Sequence, residues 1–353
     1  MTHKLHKFFS FLILCCFPLV TFANGNGSLG NFYNFTKCGL NYTTASSKIG
    51  QRYSPPGPAQ PAPLVISGIP AGATIEAAFL YAEGSGNGAA QTATLDGPSG
   101  TQSFPMTLIG TGPDKCWGYT SSTTYRADVT SVVTGNGTYN VSGLLVDPTI
   151  QHTNDMDGCT LIVIYSQFNL LWTGTIIIDD GALEAGGGTV NHTMNYAPVC
   201  GPTTNASVFM GIGDLQLAGT NITMNGTPAP YVWNWWNYLD VSTTINPAQS
   251  SSLYTVQASG DCYNVAFVGL YYQNTSCAVC IPPVVNLDST MIPATCDECN
   301  GTATVIATGS FIGYTYLWST GDTTASVSGL CPGTYSVTVQ SGPTIETATV
   351  TVT

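Results

Sequence analysis

The sequence predicts an all-β protein in which tandem β-sandwich units, jelly-roll-like in character, precede a small immunoglobulin-like sandwich. Three observations carry this reading. No segment longer than a turn or two shows helical periodicity. Short β-branched and aromatic runs recur at a spacing of roughly ten residues, and Gly, Asn, Asp and Pro fill the gaps between them.

The chain opens with Lys4 and Lys7, an apolar run from Phe8 to Val20, and Thr21-Phe22-Ala23 ending on a small residue. That order predicts a secretory signal peptide over residues 1–23 with cleavage after Ala23. The run falls short of the roughly 20 residues a membrane-spanning helix needs, so no transmembrane helix is expected in the mature chain. Lipidation at Cys15 or Cys16 is set aside because Leu14 is too large for the position before a lipidated cysteine.

Beyond the leader, residues 24–283 are expected to form a β-rich region, with strands near Thr74–Tyr81, Gln91–Leu95, Ser103–Ile109, Tyr139–Val146, Thr160–Phe168, Thr175–Ile178, Val208–Ile212, Leu253–Gln257 and Val265–Tyr272. Leu161-Ile-Val-Ile-Tyr165 is apolar on both alternating faces, which predicts a central strand covered on each side. Gln51–Pro63, rich in proline, reads as an extended linker or an edge-covering loop. An internal echo runs through this region. Tyr125-x-x-Asp128-Val-Thr130, a turn, Tyr139-x-Val141 and Cys159 with its apolar strand match Tyr238-x-Asp240-Val-Ser242, a polar stretch, Leu253–Val256 and Cys262 with its apolar strand. Residues 72–180 and 189–275 are therefore expected to be two related β units. Cys277-Ala-Val-Cys280-Ile-Pro-Pro283 breaks the chain, and 284–353, with no Lys or Arg, is expected to be one small sandwich with strands near Thr302–Ala307, Thr315–Trp318, Ala325–Val327, Gly333–Val339 and Glu346–Val352.

This last block holds Cys296-Asp-Glu-Cys299-Asn-Gly301, Tyr314-Thr-Tyr-Leu-Trp318-Ser-Thr-Gly321 and Gly329-Leu-Cys331-Pro-Gly333-Thr-Tyr335. It resembles the adhesin-type repeat of gliding-motility and other cell-surface proteins of the Bacteroidota. In that frame Trp318 is expected to anchor the core, Gly321 and Gly333 to make turns, and Tyr335 to pack at the start of a strand. Two departures stand out: Gly309–Tyr314 replaces the family's Gly-Gly and Pro-Pro-Tyr stretch, and its closing Gly-Cys is missing around Ser341–Pro343. The block is left with three cysteines, one of which would have to pair outside it. The larger region resembles a poorly characterised β-rich domain of bacterial and archaeal surface proteins, through Glu76–Tyr81, Asp128-Val-Thr130 and Leu161–Tyr165, with Trp236 and Asp240 in the second half. What both resemblances imply is a place outside the cell. Such proteins usually carry a C-terminal sorting domain; ending at Thr353, this sequence is expected either to lack one or to be part of something longer.

Composition narrows the function classes. The whole chain carries a formal net charge of −12, and loss of the leader leaves Lys37, Lys48, Arg52, Lys115 and Arg126 as its basic residues against 19 acidic ones. Such a chain has no electrostatic footprint for nucleic acid or anionic lipid. Ten cysteines outside the leader favour disulfides in an exported chain. The rival is a zinc ribbon on Cys277, Cys280, Cys296 and Cys299, which the presence of a leader and of six more cysteines disfavours.

Asp155/Asp157 and Asp179/Asp180 could offer oxygen ligands to calcium, but neither pair completes a calcium loop, and solvated turn residues are the preferred reading. His152 and His192 sit beside no nucleophile motif, and no catalytic, cofactor-binding or metal-ligating residue is assigned. A pair of acids serving glycoside hydrolysis is a minor alternative, because the separation that defines it is spatial. Tyr231-Val-Trp233-Asn-Trp235-Trp236-Asn-Tyr238 could stack on sugars if exposed, though core packing is the blander expectation. The leading expectation is an exported, non-catalytic cell-surface protein with an adhesive or structural role, needing no cofactor and partnered by a glycan or protein outside the cell. A carbohydrate-binding or polysaccharide-degrading protein is the alternative, and a self-assembling filament or sheath subunit a third.

Overall fold

The computed structural model describes residues 27–50, 60–114, 116, 118–146, 154–167, 170, 172–215, 220–230, 234–274, 285–295, 298–308, 314–341 and 344–353. The expected signal peptide, His152, Trp233, Cys277, Cys280 and Cys296 lie outside these residues. The described residues contain strands and no helix, so the all-β prediction holds.

Eight strands make the first sheet: β2 (Leu40–Lys48), β3 (Ala62–Ile66), β4 (Thr74–Gly86), β5 (Gln91–Gly97), β6 (Gly100–Gly112), β7 (Ser121–Asp128), β8 (Gly137–Ser142) and β9 (Asn154–Ser166). They pair antiparallel in the order β2-β9-β4-β7-β6-β5-β8-β3. Strand β6 pairs with β5 through its first half and with β7 through its second. The sheet thereby folds back on itself around a core that includes Leu64, Leu80, Leu95, Tyr139 and Leu161. Pro63 is tolerated because β3 is an edge strand, bonded to β8 alone.

The second sheet holds β1 (Leu29–Cys38), β10 (Thr173–Asn195), β11 (Thr203–Leu215), β12 (Asn221–Met224), β13 (Thr227–Pro228), β14 (Asn234–Ser242) and β15 (Ser251–Asn274). Its main path is β1-β10-β15-β11-β14, with β12 added to β15 and β13 to β12. Strands β10 and β15 pair along most of their length, and register shifts at Asp180/Leu183 and Gly186/Gly188 let them bend. The first half of β15 carries β12 and the second half β11, so this sheet too encloses its own core, around Val208, Ile222, Tyr254, Val256 and Leu270.

The two sheets meet face to face. Ile162 and Ile164 of β9 pack with Ile176 and Ile178 of β10, and Phe79, Tyr81, Phe209, Trp236, Phe267 and Tyr271 complete the seam. Strand β9 shows how the sequence encodes it: Leu161, Val163 and Tyr165 point into the first unit's core while Ile162 and Ile164 point into the seam. The expected doubly covered central strand is therefore present, flanked by β2 and β4. Two of the echoed segments fall on β7 and β9 in one sheet and on β14 and β15 in the other, within the matching orders β2-β9-β4-β7 and β10-β15-β11-β14, whereas Tyr139–Val141 falls on the separate strand β8 and its counterpart Leu253–Val256 on β15 itself. Phe209 stands opposite Gly269 and Phe267 opposite Gly211, and in each pair the ring lies where a β-carbon on the glycine would be.

Residues 285–353 build a separate small sandwich from β16 (Asn286–Ile292), β17 (Gly301–Thr308), β18 (Thr315–Trp318), β19 (Ser326–Leu330), β20 (Gly333–Ser341) and β21 (Thr344–Val352). The sheets are β16-β17-β19 and β18-β20-β21. Trp318 is buried between them and donates its Nε1 hydrogen to the Thr324 carbonyl at 2.8 Å, and Gly321 turns the chain at φ 93°.

Several expectations need correction. Leu253–Gln257 and Val265–Tyr272 are parts of one strand, β15, because Ala258, Cys262, Tyr263 and Asn264 between them continue the ladder to β10 across a register shift. Strands β1, β2 and β16 were not anticipated. Their polar and exposed positions blur the alternation: β1 and β2 are mostly half-buried and β16 mostly exposed. Cys116 and Cys262 form a disulfide, as do Cys299 and Cys331, and Cys38 and Cys200 each take part in a disulfide of their own. Cys299 is thereby removed from any zinc ribbon. Cys159 is free, its side chain enclosed in the first unit's core.

The core also fixes an alkaline limit. Burial, first among the causes, holds the phenols of Tyr42, Tyr81, Tyr238, Tyr254 and Tyr271 above the ordinary tyrosine range and raises that of Tyr263 to about 12. A phenol whose folded pKa is raised stabilises the fold fully below its unfolded pKa, and that contribution is lost as pH rises through the folded value. Stability is expected to fall steeply from about pH 10 upward. Absorbance from these buried phenols as tyrosinate should then rise together with loss of near-ultraviolet dichroism rather than ahead of it.

Candidate functional site

Two places concentrate polar chemistry, and both lie along the seam. The first is a cleft of about 640 Å³ lined by Tyr33, Asn34, Phe35 and Thr36 of β1, Glu76, Ala77 and Phe79 of β4, and Asp128 and Thr130. Strand β1 belongs to one sheet and β4 to the other, so the cleft is open between the units. Tyr33 meets Phe79 edge to face at 5.1 Å between ring centroids. Glu76 is held in place by Lys37 Nζ at 2.5 Å and by the Ser166 hydroxyl. Burial, then the neighbouring Glu76 and Asp128 carboxylates, hold the Tyr33 phenol above its ordinary range, so it remains a neutral donor. Asp128 accepts from the Thr130 amide at 2.9 Å and hydroxyl at 2.6 Å, closing the turn that the echoed Asp-Val-Thr motif forms. Its counterpart Asp240 does something else, accepting from the hydroxyls of Tyr42 at 2.7 Å and Tyr238 at 3.1 Å.

The second place is buried. Glu83 of β4, Asp157 of β9 and Asp214 of β11 each bring a carboxylate oxygen within 4.8 Å of the others, and all three are sealed from solvent. Asn264 of β15, also fully buried, donates from Nδ2 to Glu83 Oε1 at 3.0 Å and to Thr124 Oγ1 at 3.3 Å. Two strands of the first sheet and two of the second thus meet here. Gly213 makes the approach possible, since a β-carbon at that position would overlap the Glu83 carboxylate. Asp214 sits at φ 59°, a left-handed conformation that short polar side chains tolerate.

These positions correct the reading of the Asp pairs as solvated turns. Asp155 and Asp157 lie on β9 and are 0% exposed, and Asp179 and Asp180 lie on β10, also buried. The strand's own alternation separates the latter two. Asp180 takes the Arg126 guanidinium and the Tyr81 hydroxyl, the latter at 2.8 Å. Asp179 takes Asn31 at 3.0 Å and His192 at 2.8 Å. Burial raises the Asp180 carboxyl above the ordinary range, opposed by Arg126 and Tyr81. Trp235 and Trp236 are buried, so the aromatic run on β14 follows the core-packing expectation. Sequence reasoning singled out Asp157 but not Glu83, Asp214 or Asn264. The available signal was an acid beside glycine in an otherwise apolar strand, as in Glu83-Gly84 and Gly213-Asp214.

No protein-family model matches the chain, and no curated protein matches it. Among solved structures, the β-glucuronidase of Ruminococcus gnavus matches with 11% identity over 47% of this chain and 36% of its own, at a TM-score of 0.18. Its complex with uronic isofagomine gives the same values. The complex with D-glucuronic acid matches with 10% identity over 50% of this chain and 36% of its own, at a TM-score of 0.16. The chain spans about a third of the length of these enzymes, and likeness at this level carries no argument about function.

Proposed function

We propose that this chain is an exported cell-surface protein with an adhesive or structural, non-catalytic role. The observation that carries the proposal is the Cys116–Cys262 disulfide, with 6.0 Å between α-carbons, which ties the β6–β7 connection of the first unit to β15 of the second. Such bonds persist in oxidising surroundings and are reduced in the cytosol. The small C-terminal sandwich, closed by Cys299–Cys331 and resembling adhesin-type repeats, supports the same reading. So does burial of the Glu83, Asp157 and Asp214 carboxylates, out of reach of a polymeric substrate. Labelling intact host cells with a membrane-impermeant biotin reagent tests it. The chain should be labelled before lysis; labelling only after lysis would overturn the proposal.

The cleft favours a second reading, glycan binding, and moves its seat from the buried β14 tryptophans to Tyr33 and Phe35. Aromatic faces beside fixed carboxylates and hydroxyls suit sugar rings, which present apolar faces and hydroxyl edges. On a glycan array, Tyr33→Ala is expected to abolish any binding shown by the parent protein while its melting transition stays cooperative. A blank array for the parent would remove this reading.

A further inference from the structure

We propose that the cleft between β1 and β4 selects an amino sugar with a free, protonated amine and rejects acidic sugars. The inference rests on the glycan reading of that cleft and adds to it the charge of the sugar. A volume of about 640 Å³ falls within the roughly 300–1,000 Å³ of small-ligand sites, so a short oligosaccharide suits its size. Tyr33 and Phe35 stand side by side in the wall, 6.0 Å between ring centroids, and Phe79 meets Tyr33 edge to face. Such faces attract the apolar side of a sugar ring and also a cation held against them.

Charge decides which sugar. The lining holds two carboxylates, Glu76 and Asp128, and no Lys, Arg or His. Both have acceptor capacity to spare. Glu76 takes Lys37 Nζ and the Ser166 hydroxyl on one oxygen, Oε1, and Asp128 takes the Thr130 amide and hydroxyl on one oxygen, Oδ1. Among the described residues, Glu76 Oε2 and Asp128 Oδ2 accept from no donor. Each of the described cations is accounted for. Lys37 offsets Glu76, Arg126 is engaged with Asp180, and Lys48 stands opposite Gly158, at the far end of β9 from the Ser166 that touches Glu76. Two carboxylates against the one ammonium of Lys37 leave the cleft one negative charge. A uronic acid would bring a further carboxylate with no cation to receive it, and like charges brought together are costly. An ammonium would instead give the two spare oxygens charge-assisted bonds, stronger than those a neutral amide can make.

Titration calorimetry of the full chain at about pH 6 and low salt tests this with four probes: fully deacetylated chitotetraose, its fully N-acetylated form, tetragalacturonate and tetralysine. The deacetylated sugar is expected to bind at least roughly tenfold tighter than the N-acetylated one, since bonds to charged groups are about twice as strong. That advantage should shrink as salt is raised, and tetragalacturonate should not bind. Asp128→Asn keeps an acceptor for Thr130 and removes the charge, so it should erase the advantage and leave binding of the N-acetylated form near the parent's. Asp288→Asn, exposed on the separate C-terminal sandwich, should leave the ranking as it is. Equal or tighter binding of the N-acetylated sugar or of tetragalacturonate would overturn the proposal and leave the glycan reading standing. Tetralysine binding tighter than either sugar would overturn it in favour of a peptide, and a preference that survives Asp128→Asn would overturn the assignment to this cleft. Failure of every probe would remove the glycan reading and the proposal with it. Should Asp128→Asn fail to fold, the parent's ranking of the four probes decides the matter.

Discussion

Replacing Arg126 by methionine is expected to destabilise the protein by about 3–5 kcal/mol at neutral pH, because it strands the Asp180 carboxylate in the seam. Arg126 reaches across from β7 to Asp180 on β10, and its guanidinium also lies over the Phe32 ring, 3.2 Å from the centroid. Asp180 is 1% exposed, so water cannot take over the lost partner. The pH dependence has a definite sign. Burial already raises the Asp180 carboxyl, and removing the opposing Arg126 raises it further. A carboxyl with a raised folded pKa favours the fold most below its unfolded value near 4 and loses that contribution as pH rises. The deficit of Arg126→Met should therefore shrink on acidification. Adding Asp180→Asn to the same chain should recover most of the loss at pH 7, since no buried charge remains. Urea denaturation of the three proteins at pH 4.5 and 7 measures both effects; a deficit that grows toward acid would contradict the assignment.

Trp236→Ala should cost a similar amount, about 3–5 kcal/mol, for a different reason. The indole fills the seam over Gly158, and its Nε1 hydrogen lies between Ser46 Oγ at 2.9 Å and Thr160 Oγ1 at 3.0 Å. Truncation opens a cavity between two sheets that are each braced by their own core, so neither can collapse to fill it. Trp236→Phe keeps most of the volume, and the two hydroxyls still bond to each other at 3.0 Å, so its cost should be near 1–2 kcal/mol. Equal losses for the two variants, in the same urea titration, would mean that volume is not what Trp236 contributes.

Much of the fold was legible because the seam writes itself into the sequence. Strands covered on both faces lose polar alternation, which is why Leu161–Tyr165 announced a central position and why Thr175–Ile178 stood out. The half-exposed strands β1, β2 and β16 left no such mark. The polar centre was hidden for another reason. Glu83, Asp157, Asp214 and Asn264 lie far apart along the chain, and only the stacking of two sheets brings them together. Asp155-x-Asp157-Gly158 looked like a turn because acids beside glycine usually are one. Here Gly158 is instead the space that the Trp236 ring occupies. The tryptophan run on β14 kept the meaning of an apolar strand, and the open aromatic surface lies on β1, a strand the pattern did not reveal.

A cell-surface role requires that the chain mature where thiols are oxidised. Peptide mapping of the native protein, alkylated before and after unfolding without reductant, addresses that directly. The expected map contains the cross-linked peptides Cys116–Cys262 and Cys299–Cys331, with Cys159 alkylated only after unfolding, since burial encloses it and raises its thiol to about 12. Recovery of Cys116, Cys262, Cys299 and Cys331 as singly alkylated peptides would contradict it.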